Sequence, residues 1–581
     1  MDKIKLSEYV FKYLAMSGAR HVFGVPGGGC MHLFDAAYNS PNLTVIPSFN
    51  EQASALAAQA YGEITNNLSL CLVTAGPGLT NAITGIAACW TESTPAIFIG
   101  GQAKTVDLSI NFGVRTMGQQ ELDGVSLVQK ISKYSIRVSK SEEIYSVLEK
   151  SVTLANTGRK GPVFIEIPLD IQAAMIEDRP IEYPKFKLPQ ATEAELSAAL
   201  KLLKVMASAK RPVVLLGAGV KAAGAGNTLV KICEVLKVPI LLTWKVLNLL
   251  KEDHPLNYGR PGGICQPYSN DVLQNADLFI SIGARNDLVS VAFDYGTYAQ
   301  KSEYRYFVDV DPAELGKFNL SKDVLMQMDI GILASAIENL LGNLTLEVDS
   351  SRGEWLSWCS QAKSNKHILN YHEISNDYVS SYYLVDQLSD FITNEHTLIP
   401  GSSGSCSDIF MQTFRVKTDA IIQNAPGLGA MGTGLAGIVG GYSAVNKKVI
   451  SIIGDGGFQF NLQELQTIKN LDINTTIFVL NNDGYASIRR SQDNHFKRRS
   501  HADSTSGIIL SDLEKVAKAF GFAYYKLSNN EEIPSVLAET VNKKGQVLVE
   551  VLVSPDEDVR PRVGAKSVNG KMISGNMSDY K

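Results

Sequence analysis

The chain reads as an α/β protein made of three doubly wound, parallel-sheet domains, and three observations lead there. Short apolar runs ending in glycine, proline or acidic residues alternate with amphipathic stretches along the whole chain, the pattern of parallel sheets covered by helices on both faces. That alternation breaks twice, in the proline-bearing stretch "DRPIEYPKFKLPQATEAE" and again around residues 343 to 378. At 581 residues the chain exceeds one core, since roughly 100 to 200 residues make a domain. The expected division is 1–180, 181–350 and 351–581, with a polar tail from about residue 555.

Taken in order, "MDKIKLSEYVFKYLAMSGA" places Leu6, Val10, Phe11 and Leu14 at helical spacing. The first domain's strands are "LSLCLVTAG", "TPAIFIGGQ" and "GPVFIEIPLD". The second domain carries "RPVVLLGAG", "VPILLTW", "ADLFISIGAR" and "YRYFVDVDP". The third carries "KKVISIIGDGG", "TTIFVLNN" and "GQVLVEVLV", preceded by the glycine-rich "AIIQNAPGLGAMGTGLAG". Whether the tail from Pro555 to Lys581 orders over a site stays open at this level.

Composition narrows the function. Apolar residues make 45% and charged residues 19% of the chain, with a formal net charge of −5. Nothing in that balance favours nucleic acid or an anionic membrane as partner. No apolar run approaches the roughly 18 residues of a membrane span, and the start lacks a signal-peptide h-region. The seven cysteines are odd in number, scattered and without a CxxC pair, and several lie in apolar runs. They read as buried free thiols of a cytoplasmic protein.

Chemistry first surfaces in "SIIGDGGFQF". Asp455 ends an apolar strand, and a second strand, "NTTIFVL", ends in "NNDG" with Asn482 27 positions further on. That interval suits strand, crossover helix and next parallel strand, which brings both residues to the carboxyl edge of the sheet, where open α/β sheets bind ligands. A carboxylate and an amide oxygen among glycines form a hard oxygen site, suited to Mg²⁺ held jointly with a diphosphate.

The spaced "GDG" and "NN" resemble the signature of thiamine diphosphate enzymes. From about residue 4 to 555 the chain is similar to the acetohydroxyacid (acetolactate) synthase family, with "HVFGVPGGG", "TAGPGLTNAITGIA", "GRKGPVFIEIPLD", "GLGAMGTGLAG" and "IGDGGFQFNLQEL" in the same order. The resemblance implies thiamine diphosphate, Mg²⁺ and FAD as cofactors, pyruvate as donor with a keto acid or ketone as acceptor, and a homodimer or homotetramer with the active site between subunits. It assigns the catalytic positions to Glu51, Gln120 and Gly28. By itself Glu51, in "PSFNEQASALAAQAYGE", is a first-turn helix acid favoured by the helix dipole; the family keeps a glutamate here, hydrogen-bonded to N1′ of the cofactor's aminopyrimidine.

The same resemblance places cofactor contacts at Pro26, Gly27, Thr74, Pro77 and Asn81 in the first domain, and at Gly404, Gly429, Met431, Gly454, Gly456, Gly457, Tyr485 and Ile488 in the third. There the Gly429 carbonyl would accept from the 4′-amino group, Met431 would prop the cofactor into a bent shape, and Gly456 and Gly457 would offer N–H groups to the diphosphate. Asp455, Asn482 and the backbone oxygen of Gly484 would hold the metal. The flavin positions are Arg159, Gly217, Gly219, Thr243, Gly283, Arg285, Asp309 and Asp329.

Departures concentrate on the acceptor side. The family's usual histidine before the glutamate is Asn50, a phenylalanine is Gln119, a lysine is Leu169, a "GQHQ" segment is "GSCS" at 404–407, and the tryptophan that favours a larger keto acid is Ser491. An arginine of the flavin site is Val289. No "HH" pair occurs among the eight histidines, which disfavours the pyruvate decarboxylase branch. Donor chemistry reads as intact and the acceptor pocket as remodelled. Three readings follow: an acetolactate synthase condensing two pyruvates, a related carboligase acting on a ketone such as a nucleotide-linked deoxyketosugar, or an inactive cofactor-binding scaffold.

Overall fold

The computed structural model describes residues 2–182, 188–344, 346–372, 377–402, 404–568 and 571–580. Residues 183–187 of the expected first linker lie outside them. The three expected α/β units are present as three parallel sheets.

The first sheet has six strands in the spatial order Thr44–Pro47, His21–Gly24, Ser69–Val73, Ala96–Gln102, Pro162–Pro168 and Tyr134–Arg137. All its pairings are parallel. Its three central strands are buried at every position, so they read in sequence as continuous apolar runs rather than as alternation. The third sheet runs Ile421–Ile422, His396–Pro400, Lys448–Gly454, Thr475–Asn481, Gln546–Leu552 and Ala523–Leu527. Numbered by chain order within each unit, both sheets have the strand order 2-1-3-4-6-5. Both therefore reverse direction between their first and third strands, the point at which such sheets bind ligands. The central sheet has five parallel strands, Ile240–Leu242, Pro212–Leu216, Leu278–Ile282, Tyr304–Asp309 and Asp323–Gln327.

The equivalence extends to the helices. In the first and third units the helix after the second strand is made of small residues, Glu51–Thr65 with "ASALAAQA" and Thr433–Val445 with "GLAGIVGG". These two helices pack on each other, and a Cβ on Gly440 would stand 2.2 Å from the Ala57 carbonyl oxygen. Ala53, Leu56, Ala88 and Ala436 form a small buried cluster beside this contact.

Two segments are placed where the sequence division does not put them. The helix Arg352–Asn365, assigned to the third unit, packs on the central one: Trp355 Nε1 donates to the Pro212 carbonyl at 3.0 Å. The buried Arg352 guanidinium donates to the carbonyls of Met206, Ala207 and Ala209, at the end of one central helix, and to Leu236 at the end of another. Unpaired helix-terminal carbonyls are good partners for a buried cation, and their helices are nowhere near residue 352 in sequence. The tail also orders on the central unit. Val563 N donates to Gly263 O at 2.8 Å, and Asn270 Nδ2 donates to Met577 O at 3.0 Å, with the Met577 side chain fully buried.

Among the described residues no helix is long and apolar enough to cross a membrane. All seven cysteines are buried.

The helix contact makes a prediction of sign. Gly440→Ala gains about 1 kcal/mol of helix propensity, yet the added methyl meets a backbone oxygen that cannot step aside. The variant is expected to lose about 1 to 3 kcal/mol of stability, read as an earlier midpoint in urea unfolding. A later midpoint would contradict the close approach.

Candidate active site

Two half-sites form at the equivalent switch points of the first and third sheets. In the first, the loop after His21–Gly24 lies against the loop after Ser69–Val73. A Cβ on Gly27 would stand 2.6 Å from Thr74 Cβ, and Gly29 N donates to Thr74 Oγ1 at 3.1 Å. Glu51 begins its helix directly below this junction, capped by Asn50, whose side chain accepts from Gln52 N at 2.8 Å. Glu51 Oε2 accepts from Asn81 Nδ2 at 2.9 Å, and a Cβ on Gly78 would lie 3.5 Å from Oε1. Pro77 opens the helix that carries Asn81. Gly76 adopts φ +59° and would clash with the Gln120 carbonyl if it had a Cβ, so Gln120 is also held at this edge. Pro26 and Gly28 sit in the same loop; Gly28 faces open space, since nothing lies within 4 Å of a Cβ built there.

In the second half-site Asp455 starts a short helix directly after Lys448–Gly454. It is 2% exposed, and its carboxylate accepts from Gly456 N at 2.7 Å, Gly484 N at 2.9 Å and Asn482 N at 3.1 Å. Burial nevertheless pushes the carboxyl up to about 6, against the pull of those N–H groups and of Arg489. Across the site a Cβ on Gly456 would stand 2.5 Å from the Tyr485 ring, and one on Gly404 3.5 Å from Ser487 Oγ. Gly404 and Gly429 both adopt positive φ, +74° and +63°, and Gly429 approaches the Ser402 carbonyl. Gly454 and Gly457 line the same turn, Met431 is half-buried, and Ile488 is exposed on the helix Ala486–His495.

These residues fit a hard cation. Asn482 Oδ1 is buried and has no hydrogen-bond partner, next to a desolvated carboxylate that lacks a full countercharge. Gly484 is constrained to be glycine: its φ is +122°, and a Cβ would stand 2.4 Å from the Ala502 carbonyl. Among the described residues no three His, Cys, Asp or Glu side chains gather as a metal cluster, so a cation here would draw its remaining oxygens from a bound phosphate group.

Between the units lies a cavity of about 990 Å³. Arg159, Gly219, Thr243, Gly283, Arg285, Asp309 and Asp329 all line it. Gly217 does not; it packs behind the wall, where a Cβ would stand 2.3 Å from Gly283 O. Two wall hydroxyls, Thr243 Oγ1 and Ser407 Oγ, are buried without partners, as expected of a cavity shaped for a polar ligand. Arg159 meanwhile pairs with Asp311 at 3.0 Å and Glu314 at 2.7 Å, Arg285 donates to the Thr91 carbonyl at 2.8 Å, and Asp329 caps the helix Ile330–Asn343.

Three models of one family cover these units. The thiamine pyrophosphate enzyme N-terminal TPP binding domain matches residues 4–127, the central domain 199–340 and the C-terminal TPP binding domain 402–551. The chain belongs to the thiamine pyrophosphate enzymes. It is 29% identical over 571 residues to a probable acetolactate synthase large subunit of Methanocaldococcus jannaschii, covering 95% of this chain and 93% of that protein. The acetolactate synthase large subunit of Lactococcus lactis is 28% identical over 590 residues, covering 100% and 99%. The acetolactate synthase isozyme 2 large subunit of Escherichia coli is 29% identical over 576 residues, covering 98% and 99%.

Within this family frame, several residues that matter were missed in the sequence. Lys245 lines the cavity, its side chain largely buried, with Nζ 2.6 Å from Glu63 and 3.0 Å from Glu92. Burial alone would lower its pKa, but the two glutamates outweigh it and the net shift is upward. Asp408 lines the cavity too, where burial pushes its carboxyl up to about 7 against Arg490 and Arg562. Arg489, 2% exposed, donates to the carbonyls of Asn482, Asp483 and Pro555 and so clamps the loop that carries Asn482. Only Lys245 left a sequence signal, a charged residue following an apolar run in "LLTWK". Glu121, next to Gln120, is buried in part, yet hydrogen bonds from Ser109, Met117 and Gly118 hold its carboxyl down at about 2, which fixes the loop below.

Asp455→Ala should abolish metal-dependent binding of thiamine diphosphate while the far-ultraviolet circular dichroism stays unchanged. Calorimetry with and without EDTA checks it; undiminished, metal-dependent affinity in the variant would place the metal elsewhere.

Proposed function

We propose that the chain is a thiamine diphosphate-dependent carboligase of acetolactate synthase type, which decarboxylates pyruvate and transfers the acetyl unit to a carbonyl acceptor. With pyruvate as acceptor, two pyruvates and a proton give 2-acetolactate and carbon dioxide. The observation that carries this reading is the pair of half-sites at equivalent switch points, one built on Glu51 and Asn81 and the other on Asp455 and Asn482. The names of the full-length relatives support the choice of reaction.

Thiamine diphosphate, when bound, supplies a carbon acid that adds to a 2-keto acid and takes up the electrons released as carbon dioxide leaves. Asp455, Asn482 and the Gly484 carbonyl would hold Mg²⁺ against its diphosphate, with Gly456 and Gly457 N–H groups beside it. Glu51 would hold and return a proton at the pyrimidine, its carboxylate kept in aim by Asn81. Met431 and the Gly429 carbonyl would shape and orient the cofactor from the other side. The cavity would hold FAD, whose size falls in the range of such pockets, about 300 to 1,000 Å³. Its role would be structural, since the net reaction transfers no electrons to it.

The active unit in this reading is a homodimer or a dimer of dimers. Glu51 and Asp455 share no bonding partner among the described residues, and each half-site is bordered by exposed apolar side chains: Met31, Phe49, Phe112 and Met117 near the first, Leu428, Phe460 and Ile488 near the second. A second copy would cover both. The division at 180, a second division after Asn365 rather than at 350, and a reducing cytoplasm, in keeping with seven buried thiols, belong to the same reading.

A second reading, transfer to a ketone of a nucleotide-linked deoxysugar, is favoured by one observation. Ser491, where the family carries tryptophan, is exposed, and its hydroxyl turns back to donate to Ser487 O at 3.0 Å. It adds neither bulk nor a polar group to the mouth beside Ile488.

Glu51→Gln should retain thiamine diphosphate yet lose on the order of 10² or more in pyruvate turnover; near-normal turnover would remove Glu51 from the mechanism, and no turnover by the unmodified, cofactor-saturated protein would leave the inactive scaffold. Competition between 2-ketobutyrate and pyruvate should show no strong preference, because even one methylene in a fitted pocket is worth only about 1 to 3 kcal/mol. Firm selection for 2-ketobutyrate, with no reaction on ketones, would restore a narrow acceptor pocket.

A further inference from the structure

The helix Ala486–His495 leads from the cofactor half-site to an exposed basic turn, "HFKRRSH", residues 495–501. Ser487, Ile488, Ser491 and His495 share its exposed face. The seven residue steps from Ile488 to His495 span about 10 Å of helix axis.

The turn is a built structure. Gln492 exchanges two hydrogen bonds with Ser500, donating to its carbonyl at 2.9 Å and accepting from its N–H at 2.9 Å. Phe496 N donates to Gln492 O at 2.8 Å, and His501 N to Ser506 O at 2.9 Å. The turn is joined to the metal-site loop by Tyr485 N donating to Ala502 O at 2.8 Å and by Ser504 Oγ donating to Asp483 at 2.6 Å. It therefore stands on the rim of the half-site and is fixed relative to Asn482.

Its charges are not all used. Arg499 pairs with Asp493 at 2.8 Å and Asp503 at 2.9 Å, and Asp503 also faces Arg489 at 3.7 Å. Lys497 and Arg498 are exposed and have no ion pair among the described residues. Between them and the helix stands Phe496, 70% exposed. Two free cations and an exposed ring, on the rim of a site in a chain of net charge −5, complement an anionic ligand that also carries a flat face.

We propose that Lys497 and Arg498 bind the diphosphate of the acceptor, so that the acceptor is a ketosugar linked to a nucleoside diphosphate, with its ketone toward Ile488 and its phosphates at the turn. The helical distance matches a hexose ring and the phosphates on its anomeric carbon. A planar guanidinium and a lysine ammonium are the side chains that recognise such oxygens, and Phe496 offers a surface for a base. This inference rests on the ketone-acceptor reading given above.

The test uses the full-length protein saturated with thiamine diphosphate and Mg²⁺. Calorimetry compares a nucleoside-diphosphate-linked 4-keto-6-deoxyhexose with the uncharged methyl glycoside of the same ketosugar. The diphosphate-linked compound should bind roughly tenfold or more tightly than the glycoside, an advantage that shrinks as salt rises. Lys497→Ala with Arg498→Ala should remove most of that advantage and leave the glycoside's affinity unchanged; Lys497→Arg with Arg498→Lys should restore much of it. Equal affinity for the two ligands, or an advantage that survives the alanine pair, overturns the inference. A shift in sedimentation with ligand affinity unchanged also overturns it, since the turn would then be a contact between copies. Formation of 2-acetolactate without binding of the diphosphate ligand sinks this inference alone, whereas binding without pyruvate turnover sinks the carboligase reading alone.

Discussion

The backbone contact between the helices Glu51–Thr65 and Thr433–Val445 governs how the first and third units sit on each other. With small residues on both faces the two helices approach until a glycine is required at position 440, so their separation is set by backbone and not by adjustable side chains. Each of these helices follows the second strand of its own sheet, and the sheets share one strand order. Locking the helices thus locks the two switch points in a fixed relation. Glu464, fully buried at the start of its helix, adds a polar tie by accepting from Phe49 N at 3.1 Å, directly before the Glu51 helix.

The central unit is fastened to both through charge. Glu63, near the end of the Glu51 helix, meets Lys245 of the central unit at 2.6 Å and accepts from Gln423 of the third at 3.2 Å; Glu92 meets the same lysine and accepts from Gly427 N. Removing one member of such a buried set strands the others, so the junction is costly to disturb even where its net contribution to stability is small. It also forms one wall of the cavity, which makes any ligand there a participant in how the three units hold together.

Much of the fold could be read in the sequence because fully buried parallel strands leave unbroken apolar runs with glycine or acid at their ends. Asp455 and Asn482 stood out for the same reason, as polar residues at two such ends. Glu51 did not, since an acid in a first helical turn is ordinary; only the order of surrounding motifs singled it out. Lys245, Asp408 and Arg489 were illegible because what makes them significant is distant in the chain: Lys245 reaches the Asn424 carbonyl 179 positions away, and Arg489 reaches Pro555 across 66. The helix Arg352–Asn365 was misplaced for a related reason, its anchor being carbonyls left free at the ends of helices that precede it by more than a hundred positions. Gly484 was singled out in the sequence only for its backbone oxygen, whereas the Ala502 carbonyl leaves room there for nothing larger than glycine.

The docked tail bears on how the protein acquires its structure during synthesis. Asn270 in the central unit takes its partner from Met577, 307 positions later. At roughly 5 to 20 residues per second of translation, the surface that receives Met577 and Tyr580 emerges from the ribosome on the order of 15 to 60 seconds before the segment that covers it. The third unit also takes in part of the tail, Ser381 N donating to Glu557 and Gln412 Nε2 to the Pro561 carbonyl, but its last such partners are made before Met577. The domain in the middle of the sequence is therefore the last to finish folding, and its receiving surface for Met577 stays exposed in the interval.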